Sequence, residues 1–255
     1  MRWQNYSMLL IRIMLVSGFL MAGAANAFKP KVEPLRTGTS TSGVRGICQD
    51  RTVQDIAAIA PTTYTAQLTK DHPTLVWYIP EAYGSSMTLK LYRADNPNAD
   101  NVTWQPVDEF PIADYKPGIY PFSLPPNLLV EGQVYAWQVE LNCNPLNVSM
   151  NPRFVAEFKV VPSPVVSGKT AAEKAEFYAD QGLWYSAYAE ATIADQHGQK
   201  LRSQLLTALR DVESNLIQKN AATDRRSTPD EIALQVQTRR TQLDRLIDMT
   251  RSSNP

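Results

Sequence analysis

The sequence predicts an α+β chain, a β-sandwich followed by helices, and three observations carry that reading. From about residue 64 to 161, apolar side chains recur at every second position in seven short runs parted by turn residues. Pro162 and Pro164 then close the stretch. Beyond them the apolar spacing lengthens to the three-and-four pattern of helices and holds to about residue 250. A chain of 255 residues, 44 % of them hydrophobic, can bury a proper core.

The N-terminal segment comes first in order. Arg2 and Arg12 precede the apolar run "IMLVSGFLMAGAA", and Ala25-Asn26-Ala27 offers the small residues a signal peptidase cuts after. Residues 1–27 therefore read as a secretory signal, with the mature chain starting at Phe28. The run is shorter than the ~20 apolar residues that a membrane span needs, so no stable span is expected after cleavage. Without the leader the chain holds 23 bases against 25 acids, net −2. That balance argues against nucleic acid or an anionic membrane as the main partner. Cys48 and Cys143 are the only cysteines. An even count in an exported chain reads as one disulfide, and two thiols without neighbouring histidines make a poor zinc site.

Residues 28–47, rich in Pro, Gly, Ser and Thr, read as a flexible lead-in. "TVQDIAAIAP" has the apolar spacing of a short helix stopped by Pro61. The β-sandwich domain is expected over 48–162, its strands being "YTAQL", "TLVWYI", "SMTLKLYRA", "NVTWQPV", "GIYPFSL", "QVYAWQVELNC" and "RFVAEFKVV". In the sixth, Tyr135, Trp137, Val139 and Leu141 share one face, which makes Trp137 a core residue before a ligand contact. Leu129 followed by Tyr135 across a turn matches the tyrosine corner, so the sandwich is expected to be immunoglobulin/fibronectin-like.

Residues 163–170 form a linker, and 171–219 a helical region. Within it "FYADQGLWYSAYAEATIA" has Gly182 as a turn glycine and Ala175, Tyr178, Trp184, Ala187 and Ala194 at the small and aromatic places of a tetratricopeptide-like helix pair. A solenoid needs about three repeats to bury its faces, and one is present. The pair is therefore expected to pack its stripe on the sandwich or on the next helix. That next helix carries Leu201, Leu205, Leu209, Val212 and Leu216. After "NAATDRRS", Thr228, Pro229 and Glu231 give a capping-box start, and Ile232, Val236, Leu243, Leu246 and Ile247 make the stripe of an amphipathic helix over 228–250. The Arg239-Arg240 pair reads as a solvated face.

Five ordered stretches, "RGICQ", "HPTLVWYIPE", "GIYPFSLPP", "YAWQVELNC" and "EFYADQGLWYSAYAEA", resemble successive motifs of the domain-of-unknown-function family 928. The resemblance covers roughly residues 44–195. It implies an exported protein of a group found mostly in cyanobacteria, both cysteines as family positions, and no assigned activity.

Motifs of catalysis are not found. His72 and His197 lack paired ligand spacing, and "DNPNADN" lacks the oxygen alternation and glycine of a calcium loop. No nucleophile elbow, zinc-protease pair, phosphate loop or dinucleotide fingerprint occurs. Asp108, Glu109 and Asp114 are carboxylates expected in one loop, but a glycosidase needs two set across a cleft. No enzyme, no cofactor and no metal are expected. "NVT" at Asn101 and "NVS" at Asn147 are glycosylation sequons, relevant only in a host that uses them.

Strand order supplies a candidate site. Loops alternate between the ends of a sandwich, so "PEAYGS", "DEFPIADYKP" and "NPLNVSMNP" share one end, gathering Tyr83, Tyr115, Asn147 and Met150. The bland alternative packs these tyrosines on their own loops. The expected function is an exported, non-catalytic binding or adaptor module of the cell envelope, periplasmic or extracellular, touching a protein partner through loop tips. Carbohydrate binding or carbohydrate-active chemistry is the alternative.

Overall fold

The computed structural model describes residues 28–36, 47–48, 51–52, 56–71, 73–79, 85–96, 102–144, 146–194, 196–223 and 228–252. The expected signal, Tyr83, His72, Asn101 and the side chain of Cys48 lie outside the described residues. Among the described residues ten strands precede four helices: β1 (Ile47–Cys48), β2 (Arg51–Thr52), β3 (Ala57–Ala58), β4 (Ala66–Thr69), β5 (Thr74–Ile79), β6 (Met87–Ala94), β7 (Trp104–Ile112), β8 (Gly118–Ser123), β9 (Val134–Leu141) and β10 (Arg153–Val161), then α1 (Ala171–Asp180), α2 (Trp184–Ile193), α3 (Gln196–Thr223) and α4 (Pro229–Ser252). The chain is α+β, and β4 to β10 are the seven runs of period two.

The strands make a five-stranded sheet in the order β4-β10-β9-β6-β7, a three-stranded sheet β3-β5-β8, and a short β1-β2 ladder. All pairings are antiparallel except β4 on β10. Alternation along β6 sends Met87, Leu89 and Leu91 to the core and leaves Thr88, Lys90 and Tyr92 on the outer face. Trp77 of β5 meets Trp137 of β9 across the two sheets, ring centroids 6.1 Å apart. Tyr120 flanks Trp77 at 4.8 Å. At the turn into β9 the Tyr135 hydroxyl donates to the Leu128 carbonyl (3.3 Å) and accepts from the Val130 amide (3.0 Å), with Leu129 buried between them. That satisfies polar groups of a 3-10 turn whose ends have no side-chain cap.

The described part of "TVQDIAAIAP" from residue 56 on does not form the expected helix. Ile56 to Ala60 are all buried, and Ala57–Ala58 pair with Trp77 and Tyr78 as β3. An amphipathic helix buries one face, whereas this stretch lies between β5 on one side and the helices on the other. Its backbone is read from both: Ile59 N donates to Val76 O (3.0 Å), and Ile59 O accepts the Trp184 indole N–H (3.1 Å).

The helices form a layer against the sheets. Thr170 and Glu173 close a capping box at the start of α1, and Gly182 at φ +76° turns α1 into α2. Helix α2 packs on β4 and β5, and α3 packs on α2 and against α4. Trp184, Tyr185, Ala187 and Tyr188 are buried, as are Ala175 and Tyr178 on α1. Tyr185 ties this layer to the five-stranded sheet. Its hydroxyl accepts the Trp137 indole N–H (3.0 Å) and donates to Glu157 O (3.3 Å). Burial pushes its pKa up, which keeps it the neutral donor that this geometry uses.

Arg239 overturns the solvated-face reading of the arginine pair. Arg240 is exposed, but Arg239 is 1 % exposed and donates through Nε to Glu213 Oε2 of α3 (2.6 Å) and through Nη2 to Ala60 O (2.9 Å). Glu213, with no exposed surface, accepts at Oε1 from the amides of Thr62 (2.6 Å) and Thr63 (3.0 Å). A buried charge needs such complete partnering. The pair thus pins both long helices to the chain between β3 and β4.

Residues 28–36 also depart from the expectation of a mobile lead-in. Phe28 is buried edge-on to Trp184, at 5.2 Å. Glu33 bridges Thr65, and the Arg36 amide donates to the Glu157 carboxylate. Proline at 30 and 34 and the small number of apolar side chains hide these contacts from periodicity, because an extended segment docks mostly through its backbone.

Candidate functional site

Strand register brings three connections to one end of the sheets. Met87, the first residue of β6, pairs with Ile112, the last of β7, and with Leu141, the last of β9. Ile79 at the end of β5 pairs with Gly118 at the start of β8. The β5–β6, β7–β8 and β9–β10 connections therefore emerge together, as strand alternation requires. β3 and β4 both run away from that end, β3 antiparallel to β5 and β4 parallel to β10.

The candidate residues fare differently. Tyr83 lies outside the described residues. Tyr115 is half-buried and packs against the core. Asn147 and Met150 are exposed on the β9–β10 connection. That connection also displays Leu146, 98 % exposed, and Val148, 64 % exposed. Sequence reading passed over both, although "NPLNVSMN" signals them: eight residues without a charge, with apolar side chains at a strand-to-strand turn.

Hydrogen bonds hold this loop in one shape. Asn144 Oδ1 accepts from the Asn147 amide (3.0 Å), and Asn151 Oδ1 from the Asn144 amide (2.9 Å). The Ser149 hydroxyl donates to Asn147 Oδ1 (2.6 Å) within a 3-10 turn. Asn151, buried at the base, donates through Nδ2 to Glu140 Oε1 (3.0 Å). Glu140 Oε2 takes Lys90 Nζ and Gln138 Nε2, both at 3.2 Å. Burial pushes the Glu140 carboxyl up, but the hydrogen bonds from Asn151 and Lys90 and the Lys90 charge outweigh it, leaving its pKa below the ordinary value. Just past β9, Asn142 donates to the hydroxyls of Ser86 (3.1 Å) and Thr88 (2.9 Å). The loop's lower half is thus a charged and amide-lined plinth, and its upper half is apolar.

The acidic residues stand apart from any such assembly. Asp108 and Glu109 are exposed neighbours on edge strand β7, where Asp108 Oδ1 accepts the Glu109 amide (2.8 Å), and Asp114 is exposed beyond it. His197 lies 3.5 Å from Glu176, both more than half exposed. Among the described residues no cluster of three His, Cys, Asp or Glu could hold a metal. No described helix is long and apolar enough to cross a membrane. The family described as Domain of Unknown Function (DUF928) matches residues 40–221. The chain belongs to DUF928. The DUF928 match takes in both cysteines, every strand and almost all of α3, while residues 28–36 and α4 lie outside it. No curated protein matches the chain.

Proposed function

We propose that this DUF928 protein is an exported, non-catalytic binding or adaptor module that grips a protein partner with the loop end of its sheets. The observation that carries the reading is the β9–β10 connection, where Leu146, Val148 and Met150 face solvent on a hydrogen-bonded frame. Exposing a leucine almost completely forgoes about 1.5–3 kcal/mol of burial. A frame that prevents its collapse stores that burial for a partner, and rigidity lowers the entropy lost on binding.

The scaffold fits an immunoglobulin/fibronectin-like sandwich. Support comes from the strand orders β3-β5-β8 and β4-β10-β9-β6-β7 and from the Tyr135 hydroxyl bonded back to the turn before it. Helices α1 and α2 fit one tetratricopeptide-like pair, supported by Gly182 at the turn and by buried Tyr178, Trp184 and Ala187. Export is supported by the leader-like residues 1–27. A Cys48–Cys143 disulfide accords with it: Cys143 is buried just past β9, at the loop end, and the described residues include no free cysteine.

Carbohydrate binding is a second reading with its own observation. Tyr92 and Trp104 stand half-buried on the outer face of the five-stranded sheet, beside Lys90, Gln138 and Glu140. Aromatic faces next to amides and carboxylates suit a sugar ring.

Photo-crosslinking from position 150 in envelope extract, with mass spectrometry of the product, tests the first reading. A single protein product, lost in Leu146→Ser/Val148→Ser with an unchanged melting curve, is expected. Retention on a polysaccharide column abolished by Trp104→Ala, with no protein product, would replace it with the second.

A further inference from the structure

We propose that the trough running from the α1–α2 turn to the free edge of the five-stranded sheet is a binding site for an extended, proline-bearing peptide led by an aromatic residue. In this chain its own residues 28–36, "FKPKVEPLR", fill it. The inference concerns another part of the surface and does not rest on the loop-tip reading.

Each part of the trough is built for such a segment. At one end Trp184 makes an aromatic seat. Its indole N–H is held by Ile59 O (3.1 Å), its ring stacks on Tyr188 at 5.7 Å, and Phe28 meets it edge-on at 5.2 Å. Next to the seat, Gly182 lets the incoming backbone pass. A Cβ there would stand 2.5 Å from Lys29 O and 3.2 Å from Lys31 N, so a side chain at 182 closes the trough. Ala179 O, at the end of α1, accepts the Lys29 amide (3.3 Å).

At the other end the reading is by backbone and charge. β4 is the sheet's edge, and its neighbour Thr65 donates its amide to Glu33 O (2.9 Å) in an antiparallel bridge. This is strand addition reduced to one rung. Lys159 Nζ takes the Glu33 carboxylate at 3.1 Å. Glu157, 1 % exposed on β10, points both carboxylate oxygens at the Arg36 amide (2.9 and 3.0 Å), with the Thr65 hydroxyl 2.8 Å away. A buried carboxylate aimed at a main-chain N–H of a docked segment is a recognition point, because any extended peptide offers that group.

The ligand chemistry follows from these contacts. The trough takes an aromatic at the first position, side chains that reach solvent at the second and fourth, an acid at the sixth to meet Lys159, and a free amide at the ninth. Prolines at the third and seventh positions hold the peptide extended before it binds. Over nine residues it spans about 25 Å at the roughly 3.1 Å per residue of that conformation. The tether from Arg36 to β1 is "TGTSTSGVRG", ten residues of linker composition. Such a tether presents the segment to its trough at an effective concentration on the order of millimolar. A partner's peptide must displace it, so a peptide that binds the trough as tightly as the segment itself has an apparent Kd in the intact chain close to that concentration.

A protease site placed within residues 37–46 and cut in the folded protein makes the segment a separate peptide. Synthetic FKPKVEPLR is then titrated calorimetrically against the cut and the uncut chain. Saturable binding to the cut chain is expected, weakened at least tenfold by alanine in place of Phe28 in the peptide or by Gly182→Ala in the chain. In the uncut chain half-saturation should move to about a millimolar. Hydrogen exchange of the uncut chain should show the Lys29 and Thr65 amides opening well before those of β9. The proposal is overturned by a cut chain that no longer unfolds cooperatively, by equal binding of a scrambled peptide, by no binding, or by Lys29 and Thr65 exchanging only with global unfolding.

Discussion

Arg239→Met removes the charge that joins both long helices to the sheet region while keeping a side chain of similar reach. In the parent, Arg239 Nε lies 2.6 Å from Glu213 Oε2, and both side chains are within 1 % of full burial. The substitution leaves the buried Glu213 carboxyl without its cationic partner, held by the amides and hydroxyls of Thr62 and Thr63, and leaves Ala60 O without its Arg239 donor. Breaking a buried pair at one partner costs about 3–5 kcal/mol. The methionine retains the packing of the stem, so the loss is electrostatic and not a cavity. At roughly 2–4 °C per kcal/mol for a domain of this size, the melting temperature should fall by about 6–20 °C. Urea unfolding followed by tryptophan fluorescence gives the free energy directly. Glu213→Gln should cost a similar amount, and the double variant Arg239→Met/Glu213→Gln should cost less than the two together by about 1–3 kcal/mol. A loss under 1 kcal/mol for Arg239→Met, or strict additivity in the cycle, would refute the reasoning that this pair anchors the helices.

Other outcomes follow from the same contacts. Trp184→Ala removes a fully buried indole, its bond to Ile59 O and the seat of Phe28, and should cost about 3–5 kcal/mol in the same denaturation assay; a loss under about 1.5 kcal/mol would mean that the α1–α2 pair is not anchored there. Because the folded pKa of Glu140 lies below its ordinary 4.5, its stabilisation is complete at neutral pH and is lost as pH falls through that lowered value. The protection factors of the amides over residues 142–151, taken against the intrinsic exchange rate at each pH, should therefore fall below about pH 4.5, and in Glu140→Gln they should be low at neutral pH too. With the proposed Cys48–Cys143 bridge, a loop of about 95 residues is closed, and reduction should cost up to about 4–5 kcal/mol and lower the melting temperature; two titratable thiols in the exported protein would count against the bridge.

Local chemistry in the sequence determined most of the elements. β4 to β10 follow from period two and turn residues, because one face of each strand meets the core. The starts of α1 and α4 follow from Thr170 with Glu173 and Thr228 with Glu231, where side chain and backbone satisfy each other within four residues. Strand alternation also placed three connections at one end, since it needs only the count of strands. Exposure, by contrast, was decided by tertiary structure. Tyr115 packs inward against the core, whereas Leu146 faces outward on a connection framed by the hydrogen bonds of Asn144, Asn151 and Glu140. The helical spacing of Ala57, Ala60 and their neighbours lost to an edge strand because helices cover its other side. Arg239 falls three residues after Val236 and four before Leu243, on the stripe itself. Its position pointed inward, and its charge argued for water. Only the carboxylate of Glu213, 26 residues away on the facing helix, could make burial there affordable, and no local pattern reports a partner brought in by folding.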